Sequence, residues 1–352
     1  MRLRYQTKEI LFLILAIGIG ALAGVGTLGF LVLIKVGQWG LWPGQGEFMA
    51  RVMAAPWWLK LLIPTLGGLA VGPLIAFRVP EARGPGVSEV IEAAALHEGR
   101  ISPGMALLKA GCTALTIASG GSVGREGPVV GLGAAIGSAM TRLFRFSEGK
   151  GRICLACGVA AGFAATFNTP IAGALFTIEV ILADMEVVYL GHIVIAAIVG
   201  VLISRQFFGD FPTFAVAPFV FHQNVELLVY LALGLLAGLI AIAFTVGIYA
   251  TDSWFRRLVL PEWLKPALGG LGLGALALVS PYVLGVGYDS INLGLAGKFA
   301  LSAAALLLLM KYLATVLCLG SGMSGGIMGP SLFMGAMLGT PCPWWPIRFS
   351  PV

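Results

Sequence analysis

Charge is the first thing this chain lacks. Asp, Glu, Lys and Arg make up 11% of its 352 residues, against roughly 25% in an average soluble domain, which excludes an ordinary water-soluble fold with a charged surface. Histidine is scarce as well, with His97, His192 and His222 as the whole complement. No H-E-x-x-H pair exists for a metalloprotease and no G-x-x-x-x-G-K-[ST] loop exists to cradle a nucleotide, so a pump is not expected and no motif calls for a cofactor. Clustered basic runs are missing, and the net charge of +6 is therefore not that of a nucleic-acid binder. The five cysteines (Cys112, Cys154, Cys157, Cys318 and Cys342) sit mostly in apolar segments. The C-x-x-C at 154–157 has no second ligand pair and no nearby His, so these read as small packing residues.

What the chain has instead is apolar length. Hydrophobic residues make up 58% of it, and stretches able to cross ~30 Å of hydrocarbon run over about 10–36, 57–77, 191–208, 225–250, 266–286 and 298–319. The first is too long for a secretory signal and predicts a membrane helix with Arg2, Arg4 and Lys8 on the cytoplasmic side. Fifty glycines, twice the usual ~7% share, imply helices whose backbones approach closely. The region 104–188 differs, because its shorter apolar segments are broken by Gly, Pro and Asn. Such backbone is tolerated at membrane depth only where it is buried in protein or lines a cavity, which makes this region the first candidate for a transport site.

The same region is duplicated. KAGCTALTIASGGSVGREGPVVGLGAAIG at 109–137 aligns without gaps to KYLATVLCLGSGMSGGIMGPSLFMGAMLG at 311–339, with twelve of twenty-nine positions identical at an offset of 202 (311 − 109). Gly-Pro recurs as Gly127-Pro128 and Gly329-Pro330. A helix opened by Pro in its first turn points unpaired amides and the positive end of its dipole at whatever lies before it, which is an anion site. Paired Gly/Pro-interrupted segments in two halves are also the best sequence pointer to a transporter's binding site. A third Gly/Pro turn, ARGPGVSEV at 82–90, precedes Glu89 and Glu92.

The two copies differ in charge at two adjacent positions. Arg125 and Glu126 of the first are Ile327 and Met328 in the second. A carboxylate at an anion site can occupy it, repel the anion, or leave when protonated, so Glu126 is expected to act as a gate or proton carrier. Adjacent helical residues do not face each other, and Arg125 is expected to hold backbone carbonyls instead of pairing with Glu126. GGSVG at 120–124 and GMSGG at 322–326 fit G-x-S-x-G, but a nucleophile elbow needs a His partner and all three histidines lie outside the repeats. An enzyme is not expected.

GSVGREGP at 121–128, GSGMSGGIMGP at 320–330, GPGVSE at 84–89 and FNTPIAGALFTIE at 167–179 together resemble the CLC family of chloride channels and proton-coupled anion antiporters. The resemblance covers roughly residues 10–339 and implies an all-α, polytopic membrane protein of two inverted repeats with broken re-entrant helices. A homodimer with one anion pathway per subunit, in the plasma or inner membrane, is the implied assembly. By the same resemblance Glu126 is the gating glutamate, the amides of Ile327 and Met328 are central anion ligands, and Gly84, Pro85 and Gly86 form a further anion-binding turn. Gly124, Gly127, Pro128, Gly326 and Pro330 shape the helix starts, with Arg125 in support. Pro85 replaces the family's usual serine, a change that goes with nitrate preference in plant relatives, and Met328 replaces the common Phe. Val180 stands where exchangers usually carry an internal glutamate, as in the channel members.

The expected division is a first repeat over 1–205, an incomplete second repeat over 206–339, and an aberrant tail over 340–352. Under the offset, residues 151–190 would map to about 353–392, beyond Val352, and TPCPWWPIRFSPV stops following the repeat. Three readings follow: glutamate-gated conduction of chloride or a similar small anion such as nitrate, proton-coupled antiport, and a non-functional truncated fragment.

Overall fold

The computed structural model describes residues 2–78, 86–146, 148–183, 189–210, 213, 214, 216 and 224–340, with side chains from residue 10. The expected topology markers Arg2, Arg4 and Lys8, the turn residues Gly84 and Pro85, and the tail from 341 onward fall outside the described side chains or residues.

Apolar composition without strand signals gives an all-helical chain. Its elements are α1 (Arg2–Leu41), α2 (Phe48–Ala54), α3 (Trp57–Phe77), α4 (Val87–Leu96), α5 (Pro103–Ala118), α6 (Glu126–Leu143) and α7 (Glu148–Phe167). They continue with α8 (Pro170–Phe176), which runs into a π-helical turn over Thr177–Leu182, then α9 (Leu190–Phe208) and α10 (Val225–Arg257). The last four are α11 (Lys265–Val279), α12 (Tyr288–Leu295), α13 (Leu301–Gly320) and α14 (Met328–Gly339). Prolines open α5, α8 and α11, where a missing N–H costs nothing, while Pro64 and Pro73 lie inside α3.

Six described helices are long and apolar enough to cross a membrane: Ile10–Leu41, Trp57–Phe77, Gly149–Phe167, Leu190–Phe208, Val225–Arg257 and Leu301–Gly320. Two sequence expectations change here. Residues 149–167, placed in the broken region, form one continuous helix whose apolar window is 89% buried; its Ala/Gly composition hides it from a hydropathy reading and suits it to the centre of the bundle. The stretch 266–286 is no full span, because α11 stops after 15 residues and Pro281 opens a 3₁₀ turn over Pro281–Val283. In contrast, only 6% of the α10 window is buried, and Leu227, Leu231, Leu235 and Leu239 stand exposed along it. Lipid tails are as apolar as leucine, so a bare face of this kind carries no hydrophobic penalty in a bilayer.

The sequence repeat becomes a symmetry in space. Thr113 and Ser324 share a hydrogen bond at 2.9 Å, and Ser122 and Thr315 share one at 3.1 Å. Threonines 113 and 315 are repeat mates, as are serines 122 and 324, so the two bonds are one contact made twice with partners exchanged. Likewise a methyl on Gly68 would lie 2.1 Å from the carbonyl oxygen of Pro266, and one on Gly270 would lie 2.1 Å from that of Pro64. Contacts that exchange partners in this way mark a two-fold axis. It passes between Gly124 and Gly326, whose backbones pair antiparallel, with N–H to O distances of 2.6 and 2.8 Å. The hydroxyls of both G-x-S-x-G motifs are thus spent on the repeat interface, fully buried.

Candidate functional site

Glu126 is the first residue of α6 and Met328 the first of α14, one repeat offset apart. The Gly-Pro pairs fall in the first turns of both helices, as the sequence predicts. The Gly124–Gly326 pairing brings these two starts together, so two sets of first-turn amides without partners inside their own helices and two positive dipole ends meet there. Glu126 is buried there at 1% exposure. One carboxylate oxygen, Oε2, accepts from the Gly329 amide of the opposite helix at 3.2 Å. The other, Oε1, accepts from the Tyr288 hydroxyl at 2.6 Å. The carboxylate of the first repeat therefore plugs the helix start of the second.

Space for the plug depends on a missing side chain. A methyl on Gly124 would lie 2.1 Å from Glu126 Oε2 and 3.0 Å from the Gly329 nitrogen. A methyl on Gly326 would lie 3.2 Å from the Gly127 nitrogen. Glycine at both positions keeps the meeting point open to the carboxylate and to the facing amides.

Arg125 makes no ion pair with Glu126. Its guanidinium donates to the Thr166 carbonyl at 3.4 Å and lies 4.5 Å from the centre of the Tyr288 ring, a cation–π distance. Arg125 and Tyr288 also line a cavity of about 320 Å³ whose wall carries Lys35, Glu47 and Asp289. On the other flank a smaller cavity of about 60 Å³ is lined by Gly86, Glu89, Lys109, Gly127 and Pro128. Gly86 caps α4 with φ +81°, and Ile327 and Met328 lie at the start of α14, partly exposed. Glu179 and Val180 are exposed on the π-helical turn.

Two lysines matched in the repeat reach the segments that precede or open short helices. Lys109 forms an ion pair with Glu89 in the first turn of α4. Lys311, fully buried, donates to the carbonyls of Val283 at 3.1 Å and Gly285 at 2.7 Å, in the segment leading to α12. Removing it strands both acceptors, at roughly 1–3 kcal/mol each. Lys311→Met is expected to lower the melting temperature of the detergent-solubilised protein clearly below that of Lys298→Met, a change at an exposed lysine. Equal melting of the two variants would contradict that role.

Tyr288 escaped the sequence reading, although a signal for it exists. GVGYD at 285–289 parallels GPGVS at 84–88, but at an offset of 201 (285 − 84), one residue out of register with the repeat. The structure gives the second glycine of each the same place: Gly287 caps α12 with φ +93°, as Gly86 caps α4 with φ +81°.

Against known proteins, the family model described as voltage gated chloride channel matches residues 67–342. The chain belongs to the CLC family. A putative chloride channel protein ClcB-like from Ralstonia nicotianae is 37% identical over 325 residues, spanning 91% of this chain and 76% of that protein. A voltage-gated ClC-type chloride channel ClcB from Escherichia coli is 32% identical over 332 residues, spanning 93% and 79%. Among solved structures, a slow cyanobacterial Cl⁻/H⁺ antiporter superposes with TM-score 0.79 at 24% identity, covering 92% of this chain and 76% of that one. A CLC-type fluoride/proton antiporter superposes with TM-score 0.78 at 23% identity, covering 95% and 83%. The CLC inverted-repeat fold, an integral multi-pass membrane location and the family's activity of anion transport follow.

Proposed function

We propose that this CLC protein conducts chloride or a similar small inorganic anion, nitrate included, through a pathway gated by Glu126, and that conduction is channel-like. The observation that carries the reading is the buried carboxylate hydrogen-bonded to the amide that opens the other repeat's helix. An anion arriving there takes over the Gly329 amide that the carboxylate now holds. The amides of Ile327 and Met328 and the turn Gly84, Pro85, Gly86 complete the anion's surroundings, with Gly124, Gly127, Pro128, Gly326 and Pro330 shaping the backbone and Arg125 bracing it through Thr166. The repeats over 1–205 and 206–339 contribute one helix start each, and the working assembly is a homodimer.

Channel-like conduction is supported by Val180, which offers no second carboxylate for a proton, and by relatives at 31–37% identity that are described as chloride channels. The alternative is proton-coupled antiport, favoured by a specific feature: Glu126 is an ionisable group seated on the anion path. Proteoliposomes separate the two. With an outward chloride gradient and a clamped potential, passive conduction is expected to give chloride efflux with no uphill proton movement. Sustained proton uptake against its own gradient, abolished with the chloride gradient, would overturn the channel reading.

A further inference from the structure

We propose that Tyr288 is a positioning residue that latches Glu126 in the anion site, an inference that rests on the gate reading of Glu126. The Tyr288 hydroxyl donates to Glu126 Oε1 at 2.6 Å, the short distance of a charge-assisted bond. The residue comes from the second repeat, 162 positions away, so the latch ties the gate of one repeat to the other. Its ring is itself held by two neighbours. Arg125 lies over it at 4.5 Å, and Phe214 makes a T-shaped contact with centroids 5.2 Å apart. The positive charge against the ring holds the phenol in place and favours donation to an anion.

Position makes this bond one that transport has to break. Tyr288 and Arg125 line the larger cavity, while Glu126 lies buried beside them. An anion replacing the carboxylate inherits the Gly329 amide, so that bond is exchanged and not lost. The bond from Tyr288 has no such exchange, because the hydroxyl loses its acceptor when Glu126 leaves, and it therefore sets how tightly the carboxylate competes with the anion. Phenylalanine at this position would keep the ring, the stack and the packing while deleting only the donor.

Potassium chloride titrated calorimetrically into the full chain, purified in chloride-free gluconate buffer, reads that competition directly. Tyr288→Phe is expected to tighten chloride binding by about tenfold, the scale of one lost hydrogen bond to a charged group. In a Glu126→Ala background the same change is expected to have no effect. Single-site replacement of Tyr288 by 3-fluorotyrosine, a stronger donor of similar shape, is expected to weaken chloride binding and so reverses the sign without removing the ring. If Tyr288→Phe matches the parent while Glu126→Ala tightens binding, the latch is overturned and the gate stands. If neither change alters binding, the gate reading fails first. A Tyr288→Phe effect of equal size in both backgrounds would make the residue structural. A loss of affinity confined to the Glu126→Ala background would make its hydroxyl an anion ligand. Either of these also overturns the latch.

Discussion

Glu126→Ala is expected to tighten chloride binding by at least tenfold and to remove the pH dependence of anion flux. The carboxylate holds two hydrogen bonds, from Gly329 and Tyr288, and its charge sits between two helix starts. Hydrogen bonds to a charged group contribute roughly 1.5–3 kcal/mol each, and an anion seeking the Gly329 amide has to displace that carboxylate. Loss of even one such bond corresponds to about tenfold or more in the dissociation constant. Alanine leaves the Gly329 amide without the carboxylate and removes a buried ionisable group from between the two helix starts. Calorimetry and flux from chloride-loaded vesicles at several pH values measure the two effects. A variant with the parent's affinity and the parent's pH profile would remove Glu126 from the pathway.

Gly158→Val carries the largest expected cost to folding. A methyl at 158 would lie 2.0 Å from the carbonyl oxygen of Gly133, and one at 133 would lie 2.2 Å from that of Gly158. The opposing atoms are backbone, so no rotamer change makes room and α6 must separate from α7. Overpacking of a well-filled core costs typically 1–3 kcal/mol, and a clash with backbone belongs at or above the top of that range. Because α6 begins with Glu126, the displacement also reaches that carboxylate. The variant is expected to lose the monodisperse peak on size-exclusion chromatography, whereas Gly234→Ala on α10, with nothing within 4 Å of its Cβ, is expected to behave as the parent. Equal behaviour of the two would show that the α6–α7 crossing is more compliant than its geometry implies.

Much of the site was legible because it is written in local steric rules and then written twice. Gly-Pro suits the first turn of a helix, and its recurrence at 127–128 and 329–330 inside a duplicated segment marked the starts of α6 and α14, whereas the unrepeated Gly72-Pro73 lies inside α3. The gapless repeat tied those starts together, and the exchange of Arg125-Glu126 for Ile327-Met328 singled out the carboxylate. Continuous helix over 149–167 was harder to see, since alanine and glycine give little hydropathy and the helix is defined by what buries it.

The sequence by itself determined the membrane class, the duplication, the two helix starts and the lone carboxylate between them, because composition, periodicity and proline sterics act within a few residues. Tertiary structure alone decided which groups meet. It paired Thr113 with Ser324 and Ser122 with Thr315, turned Arg125 away from its neighbour onto the Tyr288 ring, and set that tyrosine's hydroxyl on Glu126. These partners stand 162 to 211 residues apart, and polar groups buried at membrane depth must find a donor or acceptor somewhere. Which one they find depends on the two-fold axis that folding creates.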